Sequence, residues 1–257
     1  MQDNDFYGKP IMSLPKDYRV KPDNDTGVTG NDIGVQIIKG KKTLVIGGTG
    51  GIGLALAVQL NELGASVTVT GRNPPREKPE ELTFIQLDFE KGGIECLEEE
   101  PMRHVLNETD ILAVTYGPFI QKPLHQTSPD DWKKLALHDY ALPGIALSLA
   151  LPGMMERNFG RIIFFGGTRT DEIRSYKTNA PYAAAKTALD VIVKSTAGHY
   201  SQYGITCNAI CPGFTRNAPS PEYLMPENEI AVQAVRLISS ENSNGNILRV
   251  DKNWEPQ

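Results

Sequence analysis

Cysteine is scarce in this chain. Cys96, Cys207 and Cys211 make an odd count with no framework spacing, which excludes a disulfide-stapled scaffold and reads as reduced thiols in a cytoplasmic protein. Cys207 and Cys211 also lack the histidine or second cysteine pair of a zinc site, so no metal centre is expected. A basic surplus is missing as well. The 26 lysines and arginines are outnumbered by 31 acidic residues, giving a formal charge of −5, and no basic cluster stands ready to hold a polyanion. The opening stretch MQDNDFYGKP has no apolar run that would serve as a signal peptide, and no segment reads as long and apolar enough to span a bilayer. These absences leave a small molecule as the expected partner, with neither nucleic acid nor membrane.

What is present is an ordinary globular composition, long enough to bury a sizeable core. Residues 1–40 stand apart: Pro10, Pro15, Pro22, Gly27, Gly30 and Gly34 interrupt any periodicity, and they read as an irregular N-terminal arm. From 41 to 257 short β-rich runs alternate with longer amphipathic stretches, the pattern of repeated βα units in one domain. The expected strands are 43–47, 66–70, 83–87, 110–115, 161–165, 205–210 and 246–250. The expectation is a Rossmann-type, doubly wound, parallel seven-stranded sheet with helices on both faces.

The segment TLVIGGTGGIGLALAVQLNELG reads as strand, glycine turn and apolar-periodic helix. Such a turn brings backbone N–H groups against a pyrophosphate at a helix N-terminus, and a side chain at Gly47, Gly51 or Gly53 would obstruct the turn, the approach or the helix packing. The second strand ends in VTVTGRN. Where a site selective for NAD carries an acid for the ribose hydroxyls, this chain has Gly71 and Arg72. An arginine can pair bidentately with a 2′-phosphate, which favours NADP(H) over NAD(H); the alternative is a solvated loop arginine.

A second motif lies at Tyr182-Ala-Ala-Ala-Lys186. Reducing a carbonyl needs a proton at oxygen as hydride reaches carbon. A tyrosine can give it, and a lysine one helical turn away can lower the phenol from its usual pKa near 10. The bland alternative is a surface pair on an alanine-rich helix.

With the glycine turn and this pair both present, the sequence resembles the classical short-chain dehydrogenase/reductase family from about residue 42 to 251. QLDFE, TDILAVTYG, PDDWKKLALHDY, YGITCNAICPGF and GNILRVD follow in family order. The resemblance implies hydride transfer with a nicotinamide cofactor, and homodimers or homotetramers built across the helix of Tyr182 and the one before strand five. It implies Tyr182 and Lys186 as catalytic residues, Lys186 also holding the nicotinamide ribose. Cofactor contacts are implied for Thr49, Gly50 and Ile52 in the glycine turn, for Asp88 and Phe89 after the third strand, for Gly117, and for Pro212, Gly213 and Thr215 after the sixth.

The resemblance also exposes departures. The family's serine falls at Gly167, which has no side-chain donor, in a loop about two residues longer than usual; Thr168 is the nearest substitute and Thr170 the next. The family's asparagine aligns with Asp139, whose ionised carboxylate can accept a hydrogen bond but not donate one. Its Asn-Asn-Ala-Gly reads Val114-Thr115-Tyr116-Gly117, and the segment after Gly213 that covers substrate is short. A hypothesis joins that short cover to the arm, which would close the pocket instead. Two functions stay open: an NADPH-dependent reductase of a ketone or 3-oxoacyl-type carbonyl, with Thr168 in place of serine; or a weak or inactive nucleotide-binding relative serving as redox sensor or assembly subunit. An epimerase or dehydratase of the extended relatives fits less well, since the C-terminal half is too short for their extra substrate domain.

Overall fold

Alternation along each strand divides the core into two layers. Leu44, Ile46, Leu112, Val114, Ile162 and Phe164 point to one face of the sheet, while Val45, Ile111, Ala113, Ile163 and Phe165 point to the other. All of these are buried, because helices cover both faces and a parallel sheet so covered carries apolar residues at every position. In this computed structural model residues 36–76 and 81–253 are described. The strands are β1 (Lys42–Ile46), β2 (Ser66–Gly71), β3 (Thr83–Gln86), β4 (Ile111–Val114), β5 (Gly160–Phe165), β6 (Ile205–Pro212) and β7 (Ile247–Val250). They pair in parallel in the order β3-β2-β1-β4-β5-β6-β7.

Helices α1 (Gly51–Glu62), α2 (Phe89–Gly92), α3 (Met102–Glu108), α4 (Pro129–Leu135), α5 (Leu142–Glu156), α6 (Ala180–Tyr200) and α7 (Glu227–Ile238) connect them. All seven expected strands are present. Their ends differ by one or two residues from expectation: β1 stops before Gly47, whose φ of +85° turns the chain out of the sheet.

The chain runs from β1 outward to β3 and returns through β4 on the other side. The direction therefore switches between β1 and β4, and their carboxyl ends open a crevice, the place where such sheets bind ligands.

Two expectations are corrected. Of the arm at 1–40, residues 1–35 lie outside the described residues, but 36–38 are helical and Ile38 is fully buried with Leu60 and Val67, so the packed domain reaches back at least to Ile38. The helical run 129–156 does attain membrane-spanning length and apolarity, yet half of its most apolar window is buried inside the protein. Its Leu142, Ala146, Ala150 and Met154 pack on the sheet, which accounts for their apolar character.

Candidate active site

The glycine turn is shaped by close approaches at both ends. A Cβ on Gly47 would lie 2.6 Å from the Tyr116 nitrogen, and one on Gly53 would lie 2.5 Å from the Gly47 carbonyl oxygen. Both positions must lack a side chain for β1, β4 and α1 to meet. Gly50 differs, since a Cβ there would meet nothing within 4 Å; it faces open space. That space is a cleft of about 630 Å³.

Gly47, Thr49, Gly50, Gly51, Ile52 and Gly53 form one wall of the cleft. Arg72, Asp88 and Phe89 line it at the ends of β2 and β3, and Gly117 and Thr215 line it after β4 and β6. Pro212 and Gly213 are not among its lining residues; Gly213 donates to the Val250 carbonyl at 2.8 Å and packs on Asp251 and Met225, joining β6 to β7. A dinucleotide fits these residues: the turn offers backbone donors at the start of a 12-residue helix, beside space that a Cβ at Gly50 would fill.

The cleft also holds residues to which the sequence assigned no role. Arg216 lines it, with Nη2 3.7 Å from the Cβ position of Gly51, directly at the start of α1. Tyr116 lines it too, and burial, with the Glu90 carboxylate nearby, pushes its phenol up to about 12. Phe119 lines it on one side and meets the Tyr182 ring edge-on, centroids 4.9 Å apart. Through Phe119 the cleft adjoins the Tyr-Lys pair.

Tyr182 sits in the first turn of α6 and Lys186 one turn further, as their spacing requires. Gly167 is pressed against the tyrosine: a Cβ there would lie 2.7 Å from Tyr182 Cε1 and 3.0 Å from its hydroxyl oxygen. The glycine that replaces the expected serine is thus what allows this ring position.

The neighbouring hydroxyls differ in their engagements. Thr170 is buried, accepting from the Gly167 amide at 2.8 Å and donating to the Gly167 carbonyl at 3.1 Å, so it fastens the loop. Thr168 is partly exposed. The loop makes a left-handed turn at Arg169, φ +59°, and Arg169 is held by Asp251 at 3.6 Å and by the Tyr176 hydroxyl on its carbonyl at 2.6 Å. Arg249 grips Asp171 with Nε and Nη2, and Thr187 of α6 donates to the Thr170 carbonyl at 2.8 Å. After Gly213, Phe214 bridges to Leu224 before α7 begins at Glu227.

Asp139 lies in a π-helical turn, Ala136–Ala141, between α4 and α5. This wide turn directs Asp139 inward, where it is fully buried and pairs with Lys186 Nζ at 3.0 Å. Burial raises its carboxyl above the usual range, with Lys186 opposing the rise. Lys186 Nζ lies 5.9 Å from the centre of the Tyr182 ring. Burial first, then the Asp139 carboxylate, pushes the Tyr182 phenol up.

Comparison with known proteins identifies the family. The profile of the short chain dehydrogenase family matches residues 41–225. The D-beta-hydroxybutyrate dehydrogenase of Cupriavidus necator is 30% identical over 187 residues, 69% of this chain and 72% of that protein. A 3-oxoacyl-(acyl-carrier-protein) reductase of Chlamydia pneumoniae is 29% identical over 186 residues, 68% of this chain and 73% of that protein. A solved Serratia marcescens short-chain dehydrogenase/reductase superposes with a TM-score of 0.69 over 84% of this chain and 98% of the other, at 24% identity, a likeness of fold. The chain belongs to the short-chain dehydrogenase family, oxidoreductases that work with a nicotinamide cofactor.

Proposed function

We propose that this chain reduces a ketone or 3-oxoacyl-type carbonyl with NADPH. The observation that carries the reading is the adjacency of Tyr182, across Phe119, to the cleft of the glycine turn. A bound nicotinamide supplies hydride to the carbonyl carbon. Tyr182 holds a proton on its hydroxyl for the carbonyl oxygen, Lys186 orients the ribose, and Thr168, partly exposed beside Gly167, donates a hydrogen bond to the same oxygen. Asp139 acts through Lys186. The names of the Cupriavidus necator and Chlamydia pneumoniae relatives both place the reacting oxygen on the third carbon of an acyl chain, which supports that substrate class.

The phosphorylated cofactor is favoured by Arg72, while Arg216 serves either cofactor. Glu90 in the cleft is already matched by Lys134 at 2.7 Å, so the Arg72 guanidinium at the end of β2 suits a 2′-phosphate. Arg216 at the start of α1 suits the pyrophosphate, a cation beside the positive end of a helix being favourable only around an anion. A charge-assisted hydrogen bond contributes about 1.5–3 kcal/mol, roughly 10- to 150-fold in affinity. Calorimetric titration should accordingly show Arg72→Ala losing at least about tenfold for NADPH with NADH unchanged, and Arg216→Ala weakening both cofactors alike. An unchanged NADPH-to-NADH ratio in Arg72→Ala would assign the phosphate to another group.

The reading extends to a cytoplasmic homodimer or homotetramer acting on a small carbonyl or alcohol. The three cysteines are free thiols, in keeping with that compartment. Leu137, Tyr140 and Val191, exposed on the helical run before β5 and on α6, offer apolar surface for a second copy, and the mass in solution tests this. The competing reading, a nucleotide-binding relative with little or no turnover acting as redox sensor or assembly subunit, is favoured by one observation, the 3.0 Å pairing of Lys186 with the buried Asp139. Tight NADPH binding without reduction of any carbonyl would select it.

A further inference from the structure

The loop that carries Gly167 and Thr168 past Tyr182 holds a strained turn. Arg169 has a left-handed backbone, φ +59°, a region disfavoured for a residue with a side chain and kept only where the surroundings enforce it. Part of that enforcement is local: Thr170 and Gly167 exchange two hydrogen bonds, and the Tyr176 hydroxyl donates to the Arg169 carbonyl. The rest comes from the last strand, 78 residues further along the chain. Arg249 of β7 donates to Asp171 Oδ2 from Nε at 2.9 Å and from Nη2 at 2.6 Å, and its Nη2 also reaches Glu172. Asp251, just past β7, pairs with Arg169. The charges cross, a base on the strand meeting acids on the loop and an acid after the strand meeting a base on the loop. The Arg249 and Asp171 side chains are only 29% and 16% exposed, and a shielded pair made through two nitrogens holds far better than an ordinary surface bridge.

We propose that Arg249 is a positioning residue: through Asp171 it fixes the loop to β7 and so keeps Gly167, and with it Thr168, against Tyr182. This rests on the reductase reading, in which Tyr182 and Thr168 meet the same substrate oxygen. Without the pair the turn at Arg169 relaxes and the two hydroxyls lose their common aim. Neither Arg249 nor Asp171 lines the cleft of the glycine turn, so the effect falls on turnover and not on cofactor binding.

The test compares the wild type with Arg249→Met, which keeps the alkyl stem, and with Asp171→Asn, which breaks the same pair from the loop side; either variant decides if the other does not fold. Hydrogen exchange of the cofactor-free full chain, read peptide by peptide by mass spectrometry, should show residues 166–176 exchanging at least about tenfold faster in each variant, with β5 and α6 as protected as in the wild type. A general loss of stability would speed all three together. Carbonyl reduction should fall at least about tenfold in kcat, with NADPH affinity by calorimetry unchanged. Combining Arg249→Met with Asp171→Asn should cost no more than the worse single change, because both remove one interaction. Loop exchange as slow as in the wild type, faster exchange throughout the chain, additive losses in the double variant, or a loosened loop with undiminished kcat would overturn the proposal. The exchange measurement contains neither substrate nor cofactor, so a wild type that reduces no carbonyl would count against the reductase reading and leave the clamp standing.

Discussion

Tyr182→Phe is expected to bind NADPH with wild-type affinity and to reduce carbonyls at least about 100-fold more slowly, the lower end of what a positioned general acid contributes. The substitution removes one hydroxyl and keeps the ring, so the edge-on contact with Phe119 and the close packing on Gly167 survive. Tyr182 does not line the cleft of the glycine turn, which is why binding should hold while turnover falls. Steady-state rates followed at the NADPH absorbance, beside a calorimetric titration of the same protein, separate the two. A variant that kept most of its rate would show that water or another side chain delivers the proton.

Installing the missing serine by Gly167→Ser should lower activity, against what the family pattern alone would suggest. Its Cβ would lie 2.7 Å from Tyr182 Cε1 and 3.1 Å from Thr170 Cγ2. Thr170 cannot retreat without giving up both of its hydrogen bonds to Gly167, so the tyrosine ring has to move. A displacement of about 1 Å in a reacting group can cost on the order of 100-fold in rate, and overpacking costs a further 1–3 kcal/mol or so of stability. Loss of rate accompanied by a lower Tm is the expected pair of results. A faster enzyme would mean that the loop has room for a serine and that Thr168 is not its substitute.

The sheet was legible because its signal is local. Runs such as TLVI and RIIFF are apolar at every position, as strands buried on both faces must be, and turn residues separate them. The glycine turn was legible for the same reason, since strand, turn and helix lie within one short stretch. Arg216 was not: it reaches the start of α1 from the loop after β6, and no local pattern reports a contact so distant in the chain. The ion pair of Asp139 and Lys186 escaped in a more instructive way. Both residues stood out in the sequence, but only the fold, through the π-helical turn at Ala136–Ala141, brings the carboxylate to 3.0 Å from the lysine. The helix over 129–156 was misjudged because apolar length alone does not distinguish a sheet-covering helix from one suited to lipid.

The central claim is that the hydroxyl of Tyr182 works beside a dinucleotide held in the cleft of the glycine turn. Deuterium transfer tests it most directly. The wild type is incubated with NADPH labelled at the transferable position and with a 3-oxoacyl thioester, and the product is analysed by mass spectrometry. The expected product is a 3-hydroxyacyl thioester carrying one deuterium on its third carbon, formed by the wild type and not by Tyr182→Phe. Labelled product formed equally by both proteins, or tight NADPH binding with no label passed to this thioester or to simple ketones, would contradict the account.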